Sequence, residues 1–109
     1  MFARITECTL KSEKMDDFTR AMHDEVRPIL QKQTGFVDEI TLVSDVNPGQ
    51  AIVLTFWSSR EDAERYELQT YPRILNSLQA LLSGPPTVNQ ANVADSTAQK
   101  IGPRKNTAA

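Results

Sequence analysis

The chain has 109 residues, a formal net charge of −2, 39% hydrophobic and 24% charged residues, the balance of one small domain without the basic footprint of a nucleic-acid binder. One cysteine, Cys8, and one histidine, His23, exclude an internal disulfide and a four-ligand structural zinc site within the chain. No apolar run reaches the length of a membrane span, and the opening MFARITECTL lacks a signal-peptide pattern, so a cytoplasmic protein with no membrane partner is expected.

Residues 2–10 alternate as a strand, with Phe2, Arg4, Thr6 and Cys8 on one face and Ala3, Ile5, Glu7 and Thr9 on the other. Ser12 then suits a helix N-cap, with Glu13, Asp16 and Asp17 in the first turn. Met15, Phe18, Met22, Val26, Ile29 and Leu30 form the apolar stripe of a helix over about 13–33. Pro28 is expected to kink it, because proline cannot donate to the carbonyl of Asp24. Gly35 suits a left-handed cap after it. Residues 36–44 and 51–58 read as strands joined at Pro48-Gly49, which fits the centre of a type II turn, so the two form an antiparallel hairpin. Ser58 with Glu61, or Ser59 with Asp62, then opens a helix over about 59–69. Pro72 fits the first turn of a second helical piece after Thr70, with Ile74, Leu75, Leu78, Leu81 and Leu82 as its stripe. Gly84-Pro85-Pro86 ends it, and 87–94 is a candidate fourth strand.

The order β-α-β-β-α-β predicts an α+β, ferredoxin-like fold: a four-stranded antiparallel sheet with helices on one face. The third strand is apolar on both faces, with Ile52, Leu54 and Phe56 on one and Val53 and Trp57 on the other. A sheet covered on one side alternates apolar with polar. A chain this short buries only about two-thirds of its surface and has no spare helix, so a second copy is the expected cover. Residues 1–94 carry nine Lys/Arg against thirteen Asp/Glu, whereas 95–109 carry Lys100, Arg104 and Lys105 against Asp95. The domain is therefore placed at 1–94, followed by a polar, flexible tail at 95–109.

The run VLTFWSSREDAERYELQTYPRILNSL, Val53 to Leu78, and the run RPILQKQTGFVDE, Arg27 to Glu39, resemble the antibiotic biosynthesis monooxygenase (ABM) family. The resemblance covers roughly residues 2–94. It implies a homodimer of facing sheets, the dimeric α/β barrel, and a pocket between helices and sheet in each subunit. It also implies one of several activities. Some members oxidise polycyclic phenols to quinones with O₂ and no cofactor, others bind and degrade haem, and many have no established activity.

The candidate residues follow from that pattern. Trp57 matches the strand-ending tryptophan, which lines the pocket in active members and elsewhere anchors the strand by packing. The quinone-forming members carry an Asn four residues earlier, where this chain has Val53. The haem branch places an axial His on the helix after the tryptophan. Here that stretch has none, and His23 sits on the first helix. Tyr66, Tyr71 and Arg73 cluster at the break between the two helical pieces and are candidate tethers for a substrate oxygen, or simply a packing corner. Glu7 is either a pocket base or an interface residue, and Cys8 reads as an inert strand residue. The expected activity is a cofactor-independent monooxygenase acting on a small aromatic or phenolic substrate. The alternatives are a non-catalytic ligand-binding or stress-associated dimer and, behind it, a haem protein. No cofactor and no metal are expected.

Overall fold

In the computed structural model, which describes residues 1–102, β1 (Phe2–Thr9) lies at the centre of the sheet, between β3 (Gln50–Trp57) and β4 (Thr87–Asn92). With β2 (Phe36–Val43) outside β3, the order is β2-β3-β1-β4 and every pairing is antiparallel. This is the ferredoxin-like arrangement. Helices α1 (Met15–Ala21), α2 (Arg27–Gln31), α3 (Arg60–Gln69) and α4 (Tyr71–Leu78) supply the apolar side chains packed on one face.

The hairpin turns where the sequence asks it to. Gly49 has φ +88° and Gln50 N–H donates to the Asn47 carbonyl at 3.1 Å, the closing bond of a type II turn. Gly35 has φ +79°, and a Cβ there would lie 2.1 Å from Asp62 Oδ2, so this position needs both the left-handed backbone and the missing side chain. Of the two capping pairs at the start of α3, Ser59 is the one used: its hydroxyl accepts from Asp62 N–H at 3.1 Å.

The first helix departs from expectation at both its start and its middle. Ser12 does not cap it. Glu13 takes a left-handed φ of 60°, Lys14 stands at the cap without a side-chain bond, and the helix begins at Met15. The turn from Lys11 to Lys14 uses the backbone that Ser12 would have capped. In place of a simple proline kink, Met22–Val26 forms a π turn between α1 and α2, with Arg27 N–H donating to the Met22 carbonyl. The buried side chains Phe18, Met22, Val26 and Leu30 explain it. They repeat every four residues, and at about 3.6 residues per turn each step overshoots by about 40°. One wide i→i+5 turn takes up the drift and keeps all four on the sheet, just before the residue that cannot donate.

The helix-covered face holds the main core, in which Trp57, Phe2, Phe18 and Leu30 are almost wholly enclosed. The other face of the sheet carries Ile5, Ile52, Leu54 and Phe56, with Ile40 39% and Leu42 46% exposed. Beyond β4 the chain folds back on this face: Ile101 is buried against Ala3 and Phe56, and Lys100 lies 3.4 Å from Asp38. The segment expected to form a tail therefore begins on the sheet. Its Arg104 and Lys105 lie outside the described residues. Among the described residues no helix is long and apolar enough to cross a membrane.

Candidate functional site

Strand alternation sends Arg4, Thr6 and Cys8 of β1 and Val53, Thr55 and Trp57 of β3 under the helices. Where α3 breaks into α4, Tyr66 and Tyr71 come down over them. Pro72 in the first turn of α4 starts the new helix. The break is anchored from below by Thr70 Oγ1, which donates to Gln33 Oε1 at 2.9 Å. Between helices and sheet lies a cavity of about 40 Å³, with Arg4, Thr6, Cys8, Val53 and Thr55 on the sheet side and Tyr66 and Tyr71 on the helix side.

The polar centre of this cavity is Arg4, which the sequence pattern had not marked as a site residue. Its guanidinium is 1% exposed, 4.5 Å from the centre of the Tyr71 ring and 5.2 Å from that of Tyr66. The ring faces attract the cation. Its nearest carboxylate is Glu67, an ion pair at 3.6 Å from Nη2 and beyond hydrogen-bond reach, and neither Nε nor Nη2 has a hydrogen-bond partner. An enclosed charge with two unmet donors is costly. The signal was present in the sequence: a cation on the strand face shared by Phe2, Thr6 and Cys8, where a core-facing strand favours apolar groups.

The other expected residues separate in space. Tyr66 and Tyr71 both line the cavity. Trp57 is wholly buried beside them, its ring 4.7 Å from Tyr66 and 5.6 Å from Phe36, its Nε1 donating to Thr55 Oγ1 at 3.0 Å. It braces Tyr66 and stands behind the cavity wall. Val53 lines the cavity and offers no hydrogen bond. Arg73 is exposed on α4 and does not line the cavity, since the first turn of α4 aims it outward. Glu7 lies on the other face of the sheet, paired with Ile52 and Thr87, which leaves no pocket base at that position. His23 is exposed beside Asp24, at 2.8 Å, on the outer side of the π turn.

Burial sets the protonation of the lining groups. It pushes the Tyr66 phenol up to about 12, with the Arg4 charge pulling the other way, and raises Tyr71 for the same reason. Desolvation lifts the Cys8 thiol to about 11. At neutral pH both phenols are therefore donors, and the sulfur is a thiol.

A cavity of about 40 Å³ holds about three waters or a carboxylate-sized group, whereas benzene occupies engineered cavities of about 150 Å³. Leu75, Leu82 and Pro86 line both the cavity and an outer groove of about 540 Å³. The segment carrying Leu82 is pinned to β1 by Ser83, whose N–H and hydroxyl both bond the Thr9 carbonyl, at 2.9 and 3.1 Å.

A family model for antibiotic biosynthesis monooxygenases matches residues 1–70. No curated protein matches the chain. Among solved structures, SnoaB, a cofactor-independent oxygenase from Streptomyces nogalater (in a mutant form), superposes with a TM-score of 0.74 at 13% identity, covering 88% of this chain and 95% of that one. A protein of unknown function from Nitrosomonas europaea gives 0.74 at 14% identity, over 89% and 92% of the two chains. A conserved protein from Methanosarcina mazei gives 0.68 at 18% identity, over 83% and 89%. At such identities the likeness is one of fold.

Proposed function

Because the chain belongs to the antibiotic biosynthesis monooxygenase family, we propose that it is a cofactor-independent oxygenase whose small aromatic or phenolic substrate places its oxygen in the cavity beneath the α3–α4 break. The observation that carries this is the pair of protonated phenols, Tyr66 and Tyr71, over a buried guanidinium in a largely apolar enclosure. Such a site favours the anion of an electron-rich substrate: Arg4 supplies the counter-charge and the phenols donate hydrogen bonds to its oxygen. The ionised substrate then supplies the electrons. When a CH₂ conjugated to a ketone through aromatic rings, as in an anthrone, becomes C=O, it gives up four electrons. O₂ accepts them, places one atom in the product and releases the other as water with the two hydrogens.

Trp57 contributes by holding Tyr66 in place. Arg73 contributes nothing at this site in this reading. A second reading, a binding protein without turnover, draws on Val53, which places an apolar side chain on the cavity wall.

Oxygen uptake with anthrones and hydroquinones tests the first reading. Uptake above the uncatalysed rate that falls at least about tenfold in Tyr66→Phe supports it, since a donor to a developing charge contributes about that much or more. Equal rates for wild type, variant and buffer would leave only binding, and the second reading would stand.

The apolar face opposite the helices fits a second copy of the chain, as the family resemblance implies. Ile40, Leu42 and Leu54 would form its centre. Sedimentation at micromolar concentration should give about twice 12.2 kDa, and Leu54→Asp should return the monomer. A wild-type monomer would refute the dimer.

A further inference from the structure

We infer that the cavity is built for a carboxylate, and that the ligand is an aromatic acid whose carboxylate sits on the Nε–Nη2 edge of Arg4 while its ring points towards Leu75, Leu82 and Pro86. The inference rests on the cavity being the binding site and adds the chemical class of what enters it. The two donors of Arg4 without a hydrogen-bond partner are Nε and Nη2, both buried. These are the two parallel N–H groups of one edge of the guanidinium, the edge that grips both oxygens of a carboxylate. A structural arginine buried to 1% exposure would be expected to have that edge filled, because unmet donors at a buried charge are costly.

The nearest candidate to fill it does not. Glu67 Oε1 stands 3.6 Å from Nη2, its side chain is 44% exposed, and Gln90 Nε2 donates to that same oxygen at 3.2 Å. The ring centres of Tyr66 and Tyr71 lie 5.2 and 4.5 Å from the guanidinium carbon, and Nε and Nη2 have no hydrogen-bond partner. Size agrees with the assignment. The cavity of about 40 Å³ takes a carboxylate and not a ring. The lining it shares with the larger groove is apolar, formed by Leu75, Leu82 and Pro86. An anionic head and an apolar body therefore match the two parts of the site.

The test reads binding, independently of turnover. Trp57 is the single tryptophan and its ring lies 4.7 Å from Tyr66, so its emission reports on the cavity. The full chain is titrated with benzoate and with benzamide, which has nearly the same shape but no charge. Benzoate should bind at least about tenfold more tightly, the scale of charge-assisted hydrogen bonds. Arg4→Met should remove that preference, and Arg4→Lys should keep only part of it, having the charge without the fork. If Arg4→Met does not fold, Arg4→Lys carries the comparison.

Equal binding of the two probes, no binding of benzoate at tens of millimolar, or an unchanged preference in Arg4→Lys and Arg4→Met would overturn the inference. The oxygenase reading fails separately. Charge-selective binding without oxygen uptake would sink that reading and leave the carboxylate site. Uptake with neutral phenols that ignores Arg4→Lys would do the reverse.

Discussion

The two faces of this sheet are built from the same strands and have opposite character. Under the helices, alternate residues bury Trp57 and Phe2 completely, yet the same face encloses Arg4, Thr55 and a small cavity. The other face carries Ile5, Ile52, Leu54 and Phe56 with polar residues such as Glu7, Thr9 and Gln50 among them, and Ile40 and Leu42 remain 39% and 46% exposed. The covered side spends part of its packing on a charged group, and the open side leaves apolar surface uncovered. Hydrophobic stabilisation alone would have arranged both the other way round. In the proposed reading the covered face carries the chemistry and the open face the association.

Replacing residues on the two faces should break that symmetry most sharply. Trp57→Ala should cost about 3–5 kcal/mol in urea unfolding, because the ring is fully buried and its loss leaves a cavity. Leu42→Ala should cost under about 1 kcal/mol in the monomer, its side chain being half exposed. Equal losses would mean the open face is already core.

The turn that brings β2 into the sheet should be nearly as sensitive. Gly35→Ala should cost about 2–4 kcal/mol, combining left-handed strain with a clash against Asp62. Gly49→Ala has a similar φ but meets only the Leu10 carbonyl oxygen at 3.5 Å, so about 1–2 kcal/mol is expected. Denaturant midpoints of the two variants decide it.

The Arg4 prediction reverses the usual sign. Arg4→Met should leave the fold as stable as wild type or about 1 kcal/mol more stable, since an apolar group of similar length replaces a buried charge with unmet donors. A loss above about 2 kcal/mol would show that Arg4 serves the fold.

One further effect appears only in alkali. Cys8 is raised from 9.0 to about 11 and Tyr66 from 10.0 to about 12, so the folded state holds both protons more tightly than the unfolded one. The unfolded chain sheds them first. Stability should therefore be full below about pH 9 and fall as pH climbs towards 12. In Cys8→Ala the onset should move from about pH 9 to about pH 10, where Tyr66 takes over. Thermal melts across that range would show it.

Period and punctuation carried much of this in the sequence. Alternation in 2–10 and 51–58 placed Arg4, Thr6, Val53 and Trp57 on one face before any contact was known, because a strand has only two sides. Pro48-Gly49 and Gly35 located the turns, since few residues accept a positive φ. The chain order then fixed the ferredoxin-like class. Local pattern did not show which capping pair is used, nor that the four-residue spacing of Phe18, Met22, Val26 and Leu30 calls for a π turn.

Nor did it separate the polar residues near the helix break. Tyr66 and Tyr71 reach the cavity and Arg73 does not, a difference set by the angle at which α4 leaves Thr70. Only the folded chain brings Arg4, far away in sequence, to 4.5 Å from the Tyr71 ring and leaves its buried Nε and Nη2 without a hydrogen-bond partner. Sequence determines which face a side chain takes, because that is a local, periodic property. What meets that face across the core depends on helix packing between distant segments, and here that packing decides which groups surround the cavity.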